Sequence, residues 1–555
     1  MQGFLLTTIL FTPLLFIPIL MMMPKAKAKN HRYVAIAAFS LQFILSLFLL
    51  IGYESTAMQV ESAKWIRLTN SEGEVILAAD YIVGVDGLNL LFIVLSGFIM
   101  LIGAIASTAD TIKKQTQGYF ALLLLLGGSI MGCFLAFDFF LFYLFFEFML
   151  FPMYFLIGIW GGERKEYAAI KFFLYTLLGS IFILVGMIAL YSSVINPEAT
   201  QQTAQLSTIE SVHSAIQSNA IGKEKIVNTF QFKHMMEVKN YLPNSWLHPN
   251  SEAQLFGTSV RNIIFLCLLI GFIIKLPAIP VHTWLPDAHV EAPTPISVIL
   301  AGLLLKVGGY GIIRIAYPIF PDAAQYFSAF IAIVGFISII YASLIALGTQ
   351  NLKKMIAYSS IAHMGFVLLG VAALTDEGVT GAIFQMLSHG IISPMLFLIA
   401  GVLYARTHNL EMENYKGLAQ KLPIYTGFTS IAFFASLGLP GFSGFVAELM
   451  VFLGAFKSAF IPAWIAIVAT LGLVLGASYY LWTLQRMFLG DFSLKYKDWK
   501  QQLTELNLRE TLLLASLASI TFLFGIFPSL ALDYISPFTS QFLRNIFSFL
   551  NDFQP

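Results

Sequence analysis

Ionisable side chains set in stretches that otherwise suit lipid are the residues best placed to do chemistry. Glu147 lies in LFYLFFEFMLFPMYF, Lys275 in IIKLPAIPVHTWLPDAHVEAPTP, Lys306 in VILAGLLLKVGGYGII and Glu448 in SLGLPGFSGFVAEL. His363 (IAYSSIAHMGF) and His389 (FQMLSHGIISPML) follow the same pattern. An isolated charge at the bilayer centre costs roughly 2.5–3.5 kcal/mol on insertion scales, so each needs a reason. The bland reasons are a carboxylate bonded to a neighbouring helix for Glu147 and Glu448, and a helix break that lets Lys275 reach water. A lone buried histidine is most often a hydrogen-bonded core residue.

As a set, these groups point to proton transfer through a hydrated interior. Histidine titrates near neutrality. An opposite charge about 4 Å from a lysine contributes roughly 4 kcal/mol at an effective dielectric near 20. A Glu147–Lys275 pair that forms and separates would therefore load and unload a proton at Lys306. His282, Asp287, His289 and Glu291 cluster in the polar turn after Lys275. They either cap helices or take up protons from the cytoplasm. Lys171 and Arg314 lie near span ends, where snorkelling is expected, and Asp86 is expected to cap the helix it opens. No nucleophile–base pairing, metal-ligand cluster or phosphate cradle is present among these residues.

The elements that must hold this set are transmembrane helices. Of 555 residues, 58% are hydrophobic and 11% charged, and the mean hydropathy is +0.80. Apolar stretches of bilayer length recur from end to end, about fourteen by our reading, which predicts an all-α polytopic membrane protein. A net charge of +1 gives no hint of a nucleic-acid partner. The two cysteines, Cys133 and Cys267, form no metal or redox motif, and no G-x-G-x-x-G or P-loop indicates nucleotide binding.

Lysine and arginine concentrate in alternate loops: Lys25, Lys27, Lys29 and Arg32; Lys113 and Lys114; Arg164 and Lys165; Lys353 and Lys354; Arg406, Lys416 and Lys421; Lys495, Lys497, Lys500 and Arg509. The loop with Glu54, Glu61, Glu72, Glu74 and Asp80 is acidic. The positive-inside rule then places both termini outside the cytoplasm. Pro277 and Pro280 break the seventh span beside Lys275, and Gly438, Pro440, Gly441 and Gly444 break the twelfth ahead of Glu448. Matched breaks five spans apart predict two repeated five-helix units, inverted relative to each other, as in many transporters. The expected organisation is 1–117 (three helices), 118–317 (first unit, with a polar outer-face insert at 196–257), 318–490 (second unit) and 491–555 (a last span and tail). In the insert His213, His234 and His248 lack metal-ligand spacing and are expected to be solvated.

With those residues in hand, the chain resembles the antiporter-like subunits of respiratory complex I over nearly its whole length. FEFMLFPMYFLIGIWGG, KLPAIPVHTWLPDAHVEAPT, LLLKVGGYGIIR, IAYSSIAHMGF and ASLGLPGFSGFVAE carry the resemblance. It implies that Glu147 and Lys275 are the charged pair and Lys306 the central protonatable lysine, with His363 and His389 continuing the polar axis. At position 448 one such subunit carries glutamate, as here, where its sisters and the multisubunit sodium/proton antiporters usually carry lysine. The insert 196–257 is longer than the family pattern.

The implied function is a proton-pumping subunit of an NADH:quinone oxidoreductase in the bacterial inner (cytoplasmic) membrane, with no redox site of its own. FMN, iron–sulfur clusters and quinone would belong to partner subunits. Sister antiporter-like subunits would flank the chain, lipids would surround it, and it would not bind NADH directly. The alternatives are a subunit of a cation/proton antiporter or of a membrane-bound hydrogenase-type complex, and a purely structural spacer.

Overall fold

The computed structural model describes residues 4–24, 28–53, 59–71, 75–108, 112, 114–496 and 498–553. Lys25, Lys27, Lys113, Lys497, Glu54, Glu72 and Glu74 of the charge pattern lie outside the described residues. Among the described residues, ten helices are long and apolar enough to cross a membrane, and Leu5–Met21 and Leu90–Ala106 are shorter apolar helices. Two further apolar segments are interrupted. Val260–Lys275 stops at the lysine and the chain resumes helix at Trp284–Glu291; Pro423–Ser436 stops at the serine and resumes at Ser443–Lys457.

The helices that carry the polar groups are the most enclosed. The most apolar stretch of Thr294–Ile319 is 100% buried, and those of Leu352–Ala372 and Asp376–Thr407 are 94% buried, against 33% for Asn30–Ile51 and 28% for Leu508–Ile526. On the rim, Leu174, Leu178, Ile181, Val185 and Ile188 form an exposed stripe at helical spacing on Lys165–Tyr191. A water-facing protein would not leave that stripe uncovered, whereas the hydrocarbon of a bilayer accepts it.

Thr294–Ile319, the helix that carries Lys306, is not uniform. Leu300–Leu304 and Ile312–Ala316 are wide π-type turns, and Lys306 sits on the ordinary segment between them. Such turns are rare and cluster at functional sites. Lys306's helix also runs tight against the first break. A Cβ on Gly308 would lie 2.6 Å from the Phe272 carbonyl oxygen and 2.7 Å from the Leu276 nitrogen. Only glycine allows that approach.

The loops divide between the two ends of the bundle. At one end Arg164 donates its backbone N–H to Glu291, Leu352 bonds Leu410, and Arg406 pairs with Glu510 at 2.8 Å. This end carries the basic loops. At the other end, a β-hairpin, Gln59–Thr69 with Val75–Val85, joins the helices through Thr7 to Glu61 and Ala78 to Tyr191. This hairpin is the main departure from an all-α expectation. The insert packs beside it, with Phe139 bonded to the Phe230 carbonyl and Ile195 to that of Asn240.

The insert is folded rather than an open loop, with helices Pro197–Ala204 and Ile209–Gln217. His234 is not solvated as expected: it is buried, with Nε2 3.2 Å from Glu198. His213 Nε2 meets Asn240 Oδ1 at 3.0 Å, so it too has a structural partner. The segment after Leu508–Ile526 is a second helix, Ser529–Phe553, whose Ser540 donates to Asp376 at 3.0 Å.

Candidate functional site

Four of the six ionisable groups form one continuous contact chain. Lys306 is fully buried and its Nζ lies 2.6 Å from His389 Nδ1, while donating to the Ala301 carbonyl in the first wide turn. An ammonium only donates, so His389 Nδ1 accepts when Lys306 is charged; when Lys306 is neutral the imidazole can donate instead. One contact therefore fits both protonation states.

The His389 and His363 rings stand 5.6 Å apart between centroids. His363 Nδ1 receives the Gln385 amide at 3.2 Å and lies 3.5 Å from Glu448 Oε1; its Nε2 meets Ser436 Oγ at 3.1 Å. Ser436 continues to Tyr480 at 2.6 Å and Tyr480 to Ser359 at 2.9 Å. Gln385, Ser436, Tyr480 and Ser359 went unnoticed in the sequence because single hydroxyls and amides are common on buried helices. The second break supplies the geometry. Gly438 has φ +76°, and a Cβ there would lie 2.4 Å from Glu448 Oε2. Glycine is required for both the backbone turn and the carboxylate.

Glu147 and Lys275 are not in contact. Lys275 is buried at the end of its helix, and its Nζ has no hydrogen-bond partner among the described residues. It rests over the faces of Phe146 and Phe172, 4.8 and 5.8 Å from their centroids. Glu147 is half-buried with Oε1 unpartnered, and no ion pair within 4.0 Å joins the two. The expected ion pair is therefore not formed in this structure. The first break is itself well satisfied: the Trp284 indole donates to the Ile274 carbonyl at 2.9 Å, and Ile279 donates to Ser338 at 3.1 Å.

His282, Asp287 and His289 face different helices, four in all, and do not converge. His282 packs edge-on against Tyr341 and Tyr358; Asp287 pairs with Lys171 at 2.7 Å; His289 stacks on Phe397 at 4.2 Å. Lys171 therefore does not simply snorkel. Arg314 departs further from that expectation. It is buried and grips Asp86 through two bonds of 2.7 and 2.6 Å, while its Nε donates to the Tyr310 hydroxyl at 3.0 Å. Asp86 also caps its turn, accepting from Leu88 and Asn89. Lys353, counted in the sequence as a loop charge, is buried as well, with Nζ on the carbonyls of Ala292 at 2.6 Å and Val290 at 3.3 Å. Among the described residues no three histidine, cysteine, aspartate or glutamate side chains group as a metal site, and both cysteines are free thiols.

Residues 136–475, more than half of the chain, match the family model described as NADH:quinone oxidoreductase/Mrp antiporter, TM. The chain belongs to that family. The matched region contains Glu147, Lys275, Lys306, His363, His389 and Glu448, with both helix breaks. Over 98% of the chain and 96% of the relative, it is 38% identical to NADH-quinone oxidoreductase subunit M of Rhodobacter capsulatus. It is likewise 38% identical to subunit M of Rickettsia bellii, over 91% of each. A chain of respiratory complex I from Thermus thermophilus superposes with a TM-score of 0.76 at 25% identity, covering 98% of this chain and 99% of that one. A chain of the Mrp complex from Dietzia shares the fold, with a TM-score of 0.75 at 18% identity over 98% and 99% of the two chains.

Proposed function

We propose that this member of the family is an antiporter-like subunit of a bacterial NADH:quinone oxidoreductase, and that it translocates protons along Lys306, His389, His363 and Glu448. The single observation that carries this reading is the Lys306–His389–His363–Glu448 chain, four titratable groups on four helix segments with contacts from 2.6 Å to 5.6 Å. A lysine followed by two histidines and a carboxylate suits a Grotthuss-type relay; a structural spacer has no use for such a series.

Glu147 and Lys275 act as the switch. Closing them to about 4 Å would contribute roughly 4 kcal/mol at an effective dielectric near 20, enough to change how well Lys306 holds its proton. The aromatic faces under Lys275 give its ammonium a resting place in the open form. The two broken segments and their lysine and glutamate support two repeated five-helix units, 118–317 and 318–490. Protons would be taken up at the basic-loop end near His282, Asp287 and His289. The basic loops put that end in the cytoplasm and both termini outside, in the cytoplasmic membrane. Electron transfer, with FMN, iron–sulfur clusters and quinone, belongs to partner subunits, and sister antiporter-like subunits lie on either side.

A cation/proton antiporter or hydrogenase-type assembly is the second reading, favoured by the shared fold with the Mrp complex chain. Purification of the tagged chain from its own membranes separates the two. Our reading expects it to come with flavin-dependent NADH:quinone reductase activity that Glu147→Gln lowers. Isolation with sodium/proton antiport and no NADH oxidation would overturn it.

A further inference from the structure

Lys353 is the second residue of the Leu352–Ala372 helix, whose first turn is closed by Asn351 accepting from the Lys353 and Lys354 N–H groups. A cation in a helix's first turn opposes the dipole, and water at the basic-loop end is within easy reach. Lys354, next in the chain, is exposed. Lys353 turns the other way. It is 6% exposed, and its Nζ hangs on the Ala292 and Val290 carbonyls at 2.6 and 3.3 Å. No carboxylate pairs with it within 4.0 Å among the described residues. Those carbonyls end the Trp284–Glu291 helix, the short piece that follows the first break. Capping a two-turn helix is a weak return for burying an unpaired ammonium, because desolvation of a charge outweighs a cap.

His289 is the neighbour that gives the burial a purpose. It lies on the same short helix, is fully buried, and neither ring nitrogen has a hydrogen-bond partner among the described residues. Buried polar nitrogens are satisfied by internal water when no protein group serves them. Lys353 Nζ reaches the carbonyl of Val290, the residue next to His289. Its backbone carbonyl accepts from Ser297 Oγ at 3.1 Å, which ties the short helix to the start of the helix that carries Lys306.

We infer that Lys353 is a proton-carrying residue that supplies Lys306 from the basic-loop end through His289. The inference rests on Lys306 being the protonatable centre proposed above. An N–H bond of the Lys353 ammonium breaks as an N–H bond forms on His289, directly or across water. His289 passes a proton to the neutral Lys306 amine, which becomes an ammonium. Solvent at the basic-loop end then reprotonates Lys353. One proton moves inward and no electron is transferred.

The test uses the intact complex in membrane vesicles, comparing Lys353→Arg, Lys353→Gln and His289→Gln with Lys306→Ala. Subunit content, quinone reductase rate and dye-detected acidification are measured together. Arginine keeps the charge and the carbonyl contacts but does not release its proton, and glutamine keeps a donor without a transferable charge. All three relay variants are expected to assemble and to lose coupled pumping by roughly tenfold or more. Wild-type pumping in Lys353→Arg would overturn the inference, since a residue that only caps tolerates arginine. Loss of the subunit in both Lys353 variants, with normal pumping in His289→Gln, would overturn it too. Normal pumping in Lys306→Ala would instead sink the proposed function itself.

Discussion

Lys306 Nζ and His389 Nδ1 lie 2.6 Å apart, joining the helix with the wide turns to the long Asp376–Thr407 helix. The contact holds a buried lysine, which has no carboxylate within 4.0 Å among the described residues, against a group that can take or return its proton. Hydrogen bonds to charged groups contribute about 1.5–3 kcal/mol. His389→Leu, which keeps bulk and removes the nitrogen, is therefore expected to weaken proton binding at Lys306 by roughly ten- to a hundredfold. Proton pumping should fall with it while assembly persists; blue-native gels alongside vesicle acidification check both.

The second break makes a separate claim. Gly438→Ala would place a methyl 2.4 Å from Glu448 Oε2 at a φ of +76°. The backbone strain alone is about 1–2 kcal/mol. The variant is expected to displace Glu448 from His363 and to pump less than a Gly427→Ala control, where a Cβ meets nothing within 4 Å. Equal pumping in the two variants would show that the Glu448–His363 approach is dispensable.

Arg314 and Asp86 act as a structural clamp between the helix of Lys306 and the start of Leu90–Ala106. Asp86→Asn leaves a buried guanidinium unpaired, at a cost of roughly 3–5 kcal/mol. Loss of the subunit from the purified complex is the expected outcome, and Asp86→Asn combined with Arg314→Gln should recover most of it. Subunit content by quantitative gel decides whether the pair behaves this way.

The insert should respond to acid. Burial, the largest influence, holds His234 below its usual range, against a smaller opposing pull from Glu198. Below about pH 6.5 the unfolded insert binds a proton that the folded insert resists. Its stability is thus full at neutral pH and declines as pH falls below that value. Protection of the amides in residues 197–241, taken relative to the intrinsic exchange rate at each pH, should be lower at pH 5.5 than at pH 7.5 in the wild type, with a smaller difference in His234→Asn.

Hydrophobic length alone made the helices legible, and ionisable residues inside apolar runs pointed to Lys306, His389, His363 and Glu448, which the structure joins. Arg314 and Lys171 were misread as snorkelling because position near a span end says nothing of a partner 228 or 116 residues away. Lys353 was misread for the same reason, since its carbonyl partners come from the end of the short helix after the first break, 63 and 61 residues away. The hairpin at 59–85 was hidden because its strands alternate weakly and lie among charged residues. The Glu147–Lys275 separation could not be read at all: sequence identifies the two charges but not which of two arrangements they adopt.

The most direct test of the central claim is the number of protons moved per NADH oxidised by the intact complex carrying Lys306→Ala. Loss of the buried lysine is expected to lower both that ratio and the oxidase rate, with the subunit still assembled. An unchanged ratio at an unchanged rate would contradict the assignment of proton translocation to the Lys306–His389–His363–Glu448 chain.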